Sequence, residues 1–143
     1  MRVPALCLAS ALFLGSPVYA DDAASVSPAD RQAIERVITS QLDAFAHDAA
    51  DAAFGFASPS IQSMFGDAPH FMAMVQQAYP PVHRPRSFTF EQLETVDQRI
   101  VQRVLIIGPD STPALALYTM EREPDGTWRI DGCSLTRPPG LTT

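Results

Sequence analysis

The fold is decided by residues 99–135, which read RIVQRVLIIGPDSTPALALYTMEREPDGTWRIDGCSL. The two-residue period of a β-strand runs through 99–107 and again through 127–135. Residues 114–122 are apolar on both faces, which suits a strand in the interior of a sheet. The turn-forming sequences GPDS and PDG separate these segments. The stretch therefore predicts consecutive strands of an antiparallel meander, and residues 88–96 add a fourth strand before it.

The first half of the chain has the 3.6-residue period of helices instead. Ser27 and Pro28 predict the start of a long helix that runs to about residue 47, with Asp30 in the capping-box position. We expect this helix to pack on the sheet through Trp128 and Ile130. Its apolar face consists of Ile34, Val37, Ile38, Leu42 and Phe45.

Three shorter helices are predicted next. Asp48 or Asp51 is expected to cap the first of them. The Ser58-Pro59 pair opens another, which stops at Gly66, and Asp67 starts the last.

Helices followed by a meander predict an α+β fold, with N-terminal helices packed on a curved antiparallel four-stranded sheet. Because strongly twisted antiparallel sheets curl around the elements that cover them, we expect a cone with an internal pocket. The chain has 143 residues, of which 46% are hydrophobic and 18% charged, as in a globular protein. A single domain is expected at residues 29–137, between a flexible lead at 21–28 and a tail at 138–143.

Residues 1–20 have the pattern of a secretory signal peptide. Arg2 supplies a positive start, Ala5–Leu14 is apolar but too short to span a bilayer, and Val18-Tyr19-Ala20 resembles a cleavage site. The alternative is a buried N-terminal helix. Cleavage would make the protein periplasmic or secreted, without membrane insertion, and would leave Cys133 as its one cysteine.

The charge of the chain argues against nucleic acid as a partner. The sequence has no lysine, and ten arginines against sixteen acidic residues give a net charge of −6. Nucleic acid binding needs clustered basic charge, whereas these arginines are scattered singly apart from Arg84 and Arg86.

Several motifs resemble a known bacterial family. They are FGFASPSI at 54–61 with FG at 65–66, FxxMV at 71–75 with YP at 79–80, YxM at 118–120, and DGxWRIxGC at 125–133. In combination they are similar to the bacterial domain-of-unknown-function family 4864, over nearly all of the chain after residue 20. The resemblance implies an exported protein with an NTF2-like cone. It transfers no activity and no catalytic residue.

The sequence contains no pattern typical of a metal site, a cofactor site or a nucleophile. His47, His70 and His83 lie far apart, and none belongs to an HxxxH, HExxH or CxxC pattern. A GxSxG elbow and a glycine-rich phosphate loop are also missing from the sequence. We therefore expect neither a metal nor a cofactor.

Cys133 is expected to be a packing cysteine that reacts slowly with thiol reagents. Strict alternation would put it on the face opposite Trp128, but a β-bulge at Gly132 could turn it inward.

Candidate functional residues come from three groups. An aromatic and methionine set at helical spacing predicts core packing first and a ligand-lining role second: Phe54, Phe56, Met64, Phe65, Phe71 and Met74. Polar residues available for acid–base chemistry in a pocket are Tyr79, His83, Asp97, Tyr118 and Asp131. Of these, Asp97 also suits a turn and Asp131 an exposed strand position.

Three prolines are expected to hold residues 79–86 extended, as a linker or as a rim that presents Arg84 or Arg86 to an anion.

We interpret the chain as a non-catalytic module that binds a small apolar or anionic ligand or interacts with a partner. The predicted ligand-binding residues are Phe65, Tyr79, Arg84, Tyr118 and Trp128. The alternative is a lyase or isomerase, which would need a buried ionisable group in the pocket. A further possibility is a homodimer built on the open face of the sheet.

Overall fold

The computed structural model describes residues 26–140 as a series of helices followed by one sheet. The helices are α1 (Pro28–Ala46), α2 (Ala50–Gly55), α3 (Pro59–Phe65), α4 (Ala68–Ala78) and α5 (Pro80–His83). The strands are β1 (Ser87–Val96), β2 (Arg99–Ile107), β3 (Pro113–Arg122) and β4 (Trp128–Thr136). The sheet is antiparallel with the order β1-β2-β3-β4, so β3 is an interior strand as predicted. The α+β fold class is confirmed.

Helix α1 is fixed at its start by a group of side chains from both ends of the chain. Ser27 Oγ accepts from the backbone N–H of Asp30 at 3.1 Å, as the sequence predicts. The Asp30 carboxylate also accepts from Trp128 Nε1 at 3.1 Å and from Arg122 Nη2 at 2.7 Å. Hydrogen bonds from Trp128 and from the Ser27 hydroxyl, followed by the charge of Arg122, hold the pKa of Asp30 below its usual value. Asp30, in the first turn of α1, therefore joins this helix to β3 and β4.

The core lies between the helices and one face of the sheet. Ile34, Ile38, Leu42 and Phe45 of α1 are buried, as are Trp128 and Ile130 of β4, and all belong to one apolar cluster. The predicted packing of α1 on the sheet is therefore confirmed, although Val37 is only half-buried. Among residues 26–140, no helix has both the length and the apolar character needed to cross a membrane.

A β-bulge in β4 sets the direction of Cys133. Thr119 pairs with Gly132 and Met120 pairs with Ile130, which leaves Asp131 as the extra residue. Beyond the bulge, Cys133 lies opposite Tyr118 and packs against the same core as Ile130. Of the two directions that the sequence left open for Cys133, the structure has the inward one, with the extra residue at Asp131 and not at Gly132.

The predicted cap of α2 is wrong. Ala49 precedes the helix and makes no side-chain hydrogen bond to it. Asp48 has a left-handed backbone, with φ of 52°, and its carboxylate lies 2.9 Å from His83 Nε2 and 2.8 Å from Arg84 Nη2. His83 ends α5 and Arg84 follows it, and these two residues occupy the carboxylate oxygens of Asp48 that a helix cap would need.

The extended conformation predicted for residues 79–86 is also wrong, because Pro80–His83 forms one helical turn. Pro80 and Pro81 occupy the first helical positions, where an N–H group would have no partner within the helix and where the fixed φ of proline is suitable. The turn buries Val82 in the core. Packing of this side chain offsets the tendency of consecutive prolines to stay extended.

Candidate functional site

A cavity of about 220 Å³ lies between the helices and the end of the sheet formed by β3 and β4. Four helices and two strands contribute to its wall, which is mostly apolar. The lining residues are Gln41, Phe45, Ala57, Ile61, Met64, Phe65, Phe71, Met74, Val75, Tyr79, Val82, Tyr118, Ile130, Gly132 and Cys133.

Phe71 lies at the centre of the aromatic part of this wall. Its ring centroid is 5.8 Å from that of Phe45, 5.4 Å from Phe54 and 5.5 Å from Phe65. These distances are within the range of favourable aromatic pairs, so the rings hold each other in position. Met64 also lines the cavity but is 72% exposed, which places an opening beside α3.

Helix α3 carries the outer wall and is held by the bulge of β4. Ser58, which caps α3, donates from Oγ to Asp131 Oδ1 at 2.6 Å and accepts from the N–H of Ile61 at 3.3 Å. Arg99 Nη1 donates to the other oxygen of Asp131 at 3.1 Å. The expectation that Asp131 is an exposed strand residue is therefore wrong, since its side chain is only 15% exposed. The bulge directs the carboxylate of Asp131 to α3 and the thiol of Cys133 to the cavity.

The polar groups of the cavity differ in whether they have partners. Tyr79 donates from its hydroxyl to the carbonyl of Cys133 at 3.0 Å, and the Gln41 amide donates to the carbonyl of Ala53 at 3.1 Å. The Tyr118 hydroxyl is buried and has no hydrogen-bond partner among the described residues.

The ionisable groups of the lining are all neutral at physiological pH. Burial raises the pKa of the Cys133 thiol to about 12. Burial also raises the pKa of Tyr118 well above its usual value, and the neighbouring Cys133 raises it further. The pKa of Tyr79 is raised by burial and then by Cys133. No carboxylate, histidine or arginine is among the lining residues that the structure describes, so these groups can donate hydrogen bonds but offer no base near neutral pH.

Three of the five predicted ligand-binding residues meet in the cavity: Phe65, Tyr79 and Tyr118. Trp128 lies in a separate groove, where the guanidinium of Arg122 is 5.3 Å from its ring centroid. Arg84 donates to the carbonyl of Ala46 at the end of α1 and to Asp48. A cation at the C-terminal end of a helix interacts favourably with its dipole, which accounts for Arg84 without a ligand.

The polar candidates His83 and Asp97 also lie outside the cavity lining. His83 pairs with Asp48, and Asp97 forms the β1–β2 turn with a left-handed backbone, as its sequence context predicts. Within residues 26–140, no three histidine, cysteine, aspartate or glutamate side chains come together in a group that could hold a metal ion.

Among the lining residues that sequence reasoning did not name as candidates, Gln41 and Cys133 are the ones with an amide or thiol side chain. Gln41 could have been recognised from the sequence as a candidate, because it lies four residues before Phe45 on the buried side of α1, where a polar residue is unusual. For Cys133, an inward direction was one of two possibilities, and no sequence pattern indicated that the cavity lies at that point.

Comparison with known proteins assigns the chain to a family. A search of curated proteins finds none that matches it. The model of the family described as Domain of unknown function (DUF4864) matches residues 27–143, which include all of the helices and strands described above. The protein therefore belongs to the DUF4864 family.

Proposed function

We propose that the protein is a non-catalytic module that binds a small apolar ligand in the cavity beneath α3. The observation that carries this proposal is the lining, in which aromatic and aliphatic side chains surround a few neutral polar groups. Binding sites for small molecules commonly have this composition. We further propose that the fold is of the NTF2-like type, since N-terminal helices cover one face of an antiparallel sheet around a cavity.

The size of the cavity limits the size of the ligand. An apolar cavity of about 150 Å³ is known to take benzene, so one of 220 Å³ has room for roughly nine non-hydrogen atoms. A substituted single aromatic ring or a short branched chain fits this limit. Larger ligands would extend past Met64 into solvent.

The alternative, a lyase or isomerase, has less support. Such chemistry needs a group that exchanges protons near neutral pH, and raised pKa values keep Tyr79, Tyr118 and Cys133 protonated. An anionic ligand is also disfavoured, because Arg84 already binds Asp48 and the end of α1.

The proposal is tested by filling the opening of the cavity. Ile61 is half-buried in α3 and lines the cavity, so Ile61→Trp should occupy the space and weaken ligand binding at least tenfold. Isothermal titration with ethylbenzene measures the effect. The matched control is Ser63→Trp, which adds the same side chain to the exposed side of the same helix and should leave the affinity unchanged. Equal binding by both variants would contradict a site in this cavity.

We also propose that the protein is exported and acts in the periplasm or outside the cell. The support is the signal-peptide pattern of residues 1–20, which lie outside the described part of the chain. N-terminal sequencing of the protein from its own host should find Asp21 as the first residue, in an extracytoplasmic fraction. Retention of Met1 in the cytosol would contradict export.

The homodimer on the open face of the sheet stays a prediction. The outer face of β2 and β3 carries half-exposed apolar side chains, including Val101, Leu105 and Leu117, which could form its contact. Native mass spectrometry of the protein from its own host would report the oligomeric state and any bound ligand together.

A further inference from the structure

The Tyr118 hydroxyl is the unusual polar group of the cavity. The side chain is 1% exposed, yet its hydroxyl has no hydrogen-bond partner among the described residues. Within that part of the chain, its only polar contact is with the thiol of Cys133, and sulfur is a weak acceptor of hydrogen bonds. A buried hydroxyl without a partner is unfavourable, and native structures rarely contain one without a functional or structural reason.

The other polar groups of the cavity do not share this property. Tyr79 donates to the carbonyl of Cys133, and the Gln41 amide donates to the carbonyl of Ala53. A ligand that competed for these donors would have to break a hydrogen bond to a carbonyl, whereas at Tyr118 it would replace only a weak contact with sulfur. Tyr118 is therefore the donor that a ligand can satisfy at the lowest cost.

The charge of the wall limits the ligand further. The described lining residues include no arginine or histidine that could pair with an anion, and no carboxylate that could pair with a cation. A charged ligand would have to lose its hydration without compensation, which is strongly unfavourable. The lining thus selects for a neutral molecule.

We propose that the ligand of this cavity is a neutral molecule that carries one hydrogen-bond acceptor, such as a carbonyl oxygen, and that the Tyr118 hydroxyl, which is enclosed in the cavity wall, donates to it after a small shift of the ring toward the ligand. This inference rests on the proposed function and names the chemical class of its ligand. The apolar remainder of the molecule packs against the aromatic cluster around Phe71.

Three probes of nearly equal size test the proposal: ethylbenzene, acetophenone and benzoate. Their affinities are measured by titration at pH 7 on the purified protein and on Tyr118→Phe. The ratio of the acetophenone affinity to the ethylbenzene affinity should fall about tenfold in Tyr118→Phe, because one hydrogen bond to a neutral group is lost. Ethylbenzene should still bind to the variant, and benzoate should bind weakest to both proteins.

Tyr79→Phe is the matched comparison, since it removes a second hydroxyl from the same cavity. That hydroxyl already has a partner, so the ratio of the two affinities should stay as in the wild type. Melting temperatures separate the variants as well. Tyr118→Phe should melt close to the wild type, because only a weak contact with the Cys133 sulfur is lost, whereas Tyr79→Phe, which loses a hydrogen bond to a carbonyl, should melt lower.

The outcomes distinguish this inference from the function on which it rests. If ethylbenzene and acetophenone bind but their ratio is the same in wild type and Tyr118→Phe, the inference is wrong and the apolar binding site stands. Tightest binding of benzoate would also overturn it. If none of the probes binds, both the proposed function and the inference are overturned.

Discussion

Replacing Phe45 by alanine is expected to lower the free energy of unfolding by about 3–5 kcal/mol. Phe45 is 1% exposed and joins α1 to α4 through its contact with Phe71. The substitution removes a large apolar side chain and enlarges a cavity that is already present. A domain of this size has roughly 5–15 kcal/mol of stability in total, so the variant should be close to unfolding. Urea denaturation followed by far-ultraviolet circular dichroism measures the change.

Met64→Ala is the matched control for this loss of apolar side-chain volume. Met64 is large and apolar but 72% exposed, so its removal should change the stability by no more than about 0.5 kcal/mol. Trp128→Ala should resemble Phe45→Ala, because Trp128 is buried and donates to Asp30. Comparable stabilities for Phe45→Ala and Met64→Ala would show that α1 does not pack as described.

Cys133 should react with iodoacetamide about a hundredfold more slowly than an exposed cysteine at pH 8. With a pKa of about 12, about one thiol in ten thousand is ionised at this pH, against about one in four for an unperturbed cysteine. The greater nucleophilicity of a more basic thiolate recovers about 1.5 orders of magnitude of this difference. Peptide mass spectrometry measures labelling at this residue, and denaturation should remove the protection.

The pH dependence of labelling shows whether the pKa of the Cys133 thiol is raised or lowered. Because burial raises the pKa, the thiolate of Cys133 forms only at high pH, and its labelling rate should still rise about tenfold for each pH unit between 9 and 11. Ser134→Cys in a Cys133→Ser background places a thiol at the adjacent exposed position, and its rate should level off near pH 9. Rapid labelling of native Cys133, or a disulfide-linked dimer, would contradict a half-buried thiol that stays protonated.

The local features of this fold could be read from the sequence because each depends on neighbouring residues. Ser27, Ser58 and Asp67 cap the predicted helices, since a cap needs only a side-chain acceptor and an N–H group three residues later. The bounds of β3 follow from its run of apolar residues and from the turns beside it. The same reasoning failed at Asp48, where the local cap signal competes with His83 and Arg84, more than thirty residues away.

The site was predictable only in part for the same reason. Phe65, Tyr79 and Tyr118 line the cavity because aromatic residues on buried faces tend to line any cavity that forms, and their role in ligand binding stays a prediction. The sequence could not indicate that Trp128 and Arg84 would be engaged by Asp30 and by the end of α1.

Periodicity and turn chemistry over a few residues are enough to establish the order of helices and strands, the interior position of β3 and the apolar face of α1. The tertiary structure alone decided which polar groups find partners. Asp131 meets Ser58 across 73 positions of the chain and Tyr79 meets Cys133 across 54, while the hydroxyl of Tyr118 is left without one. Such pairings depend on how helices pack on a bulged strand, and no local pattern encodes that packing.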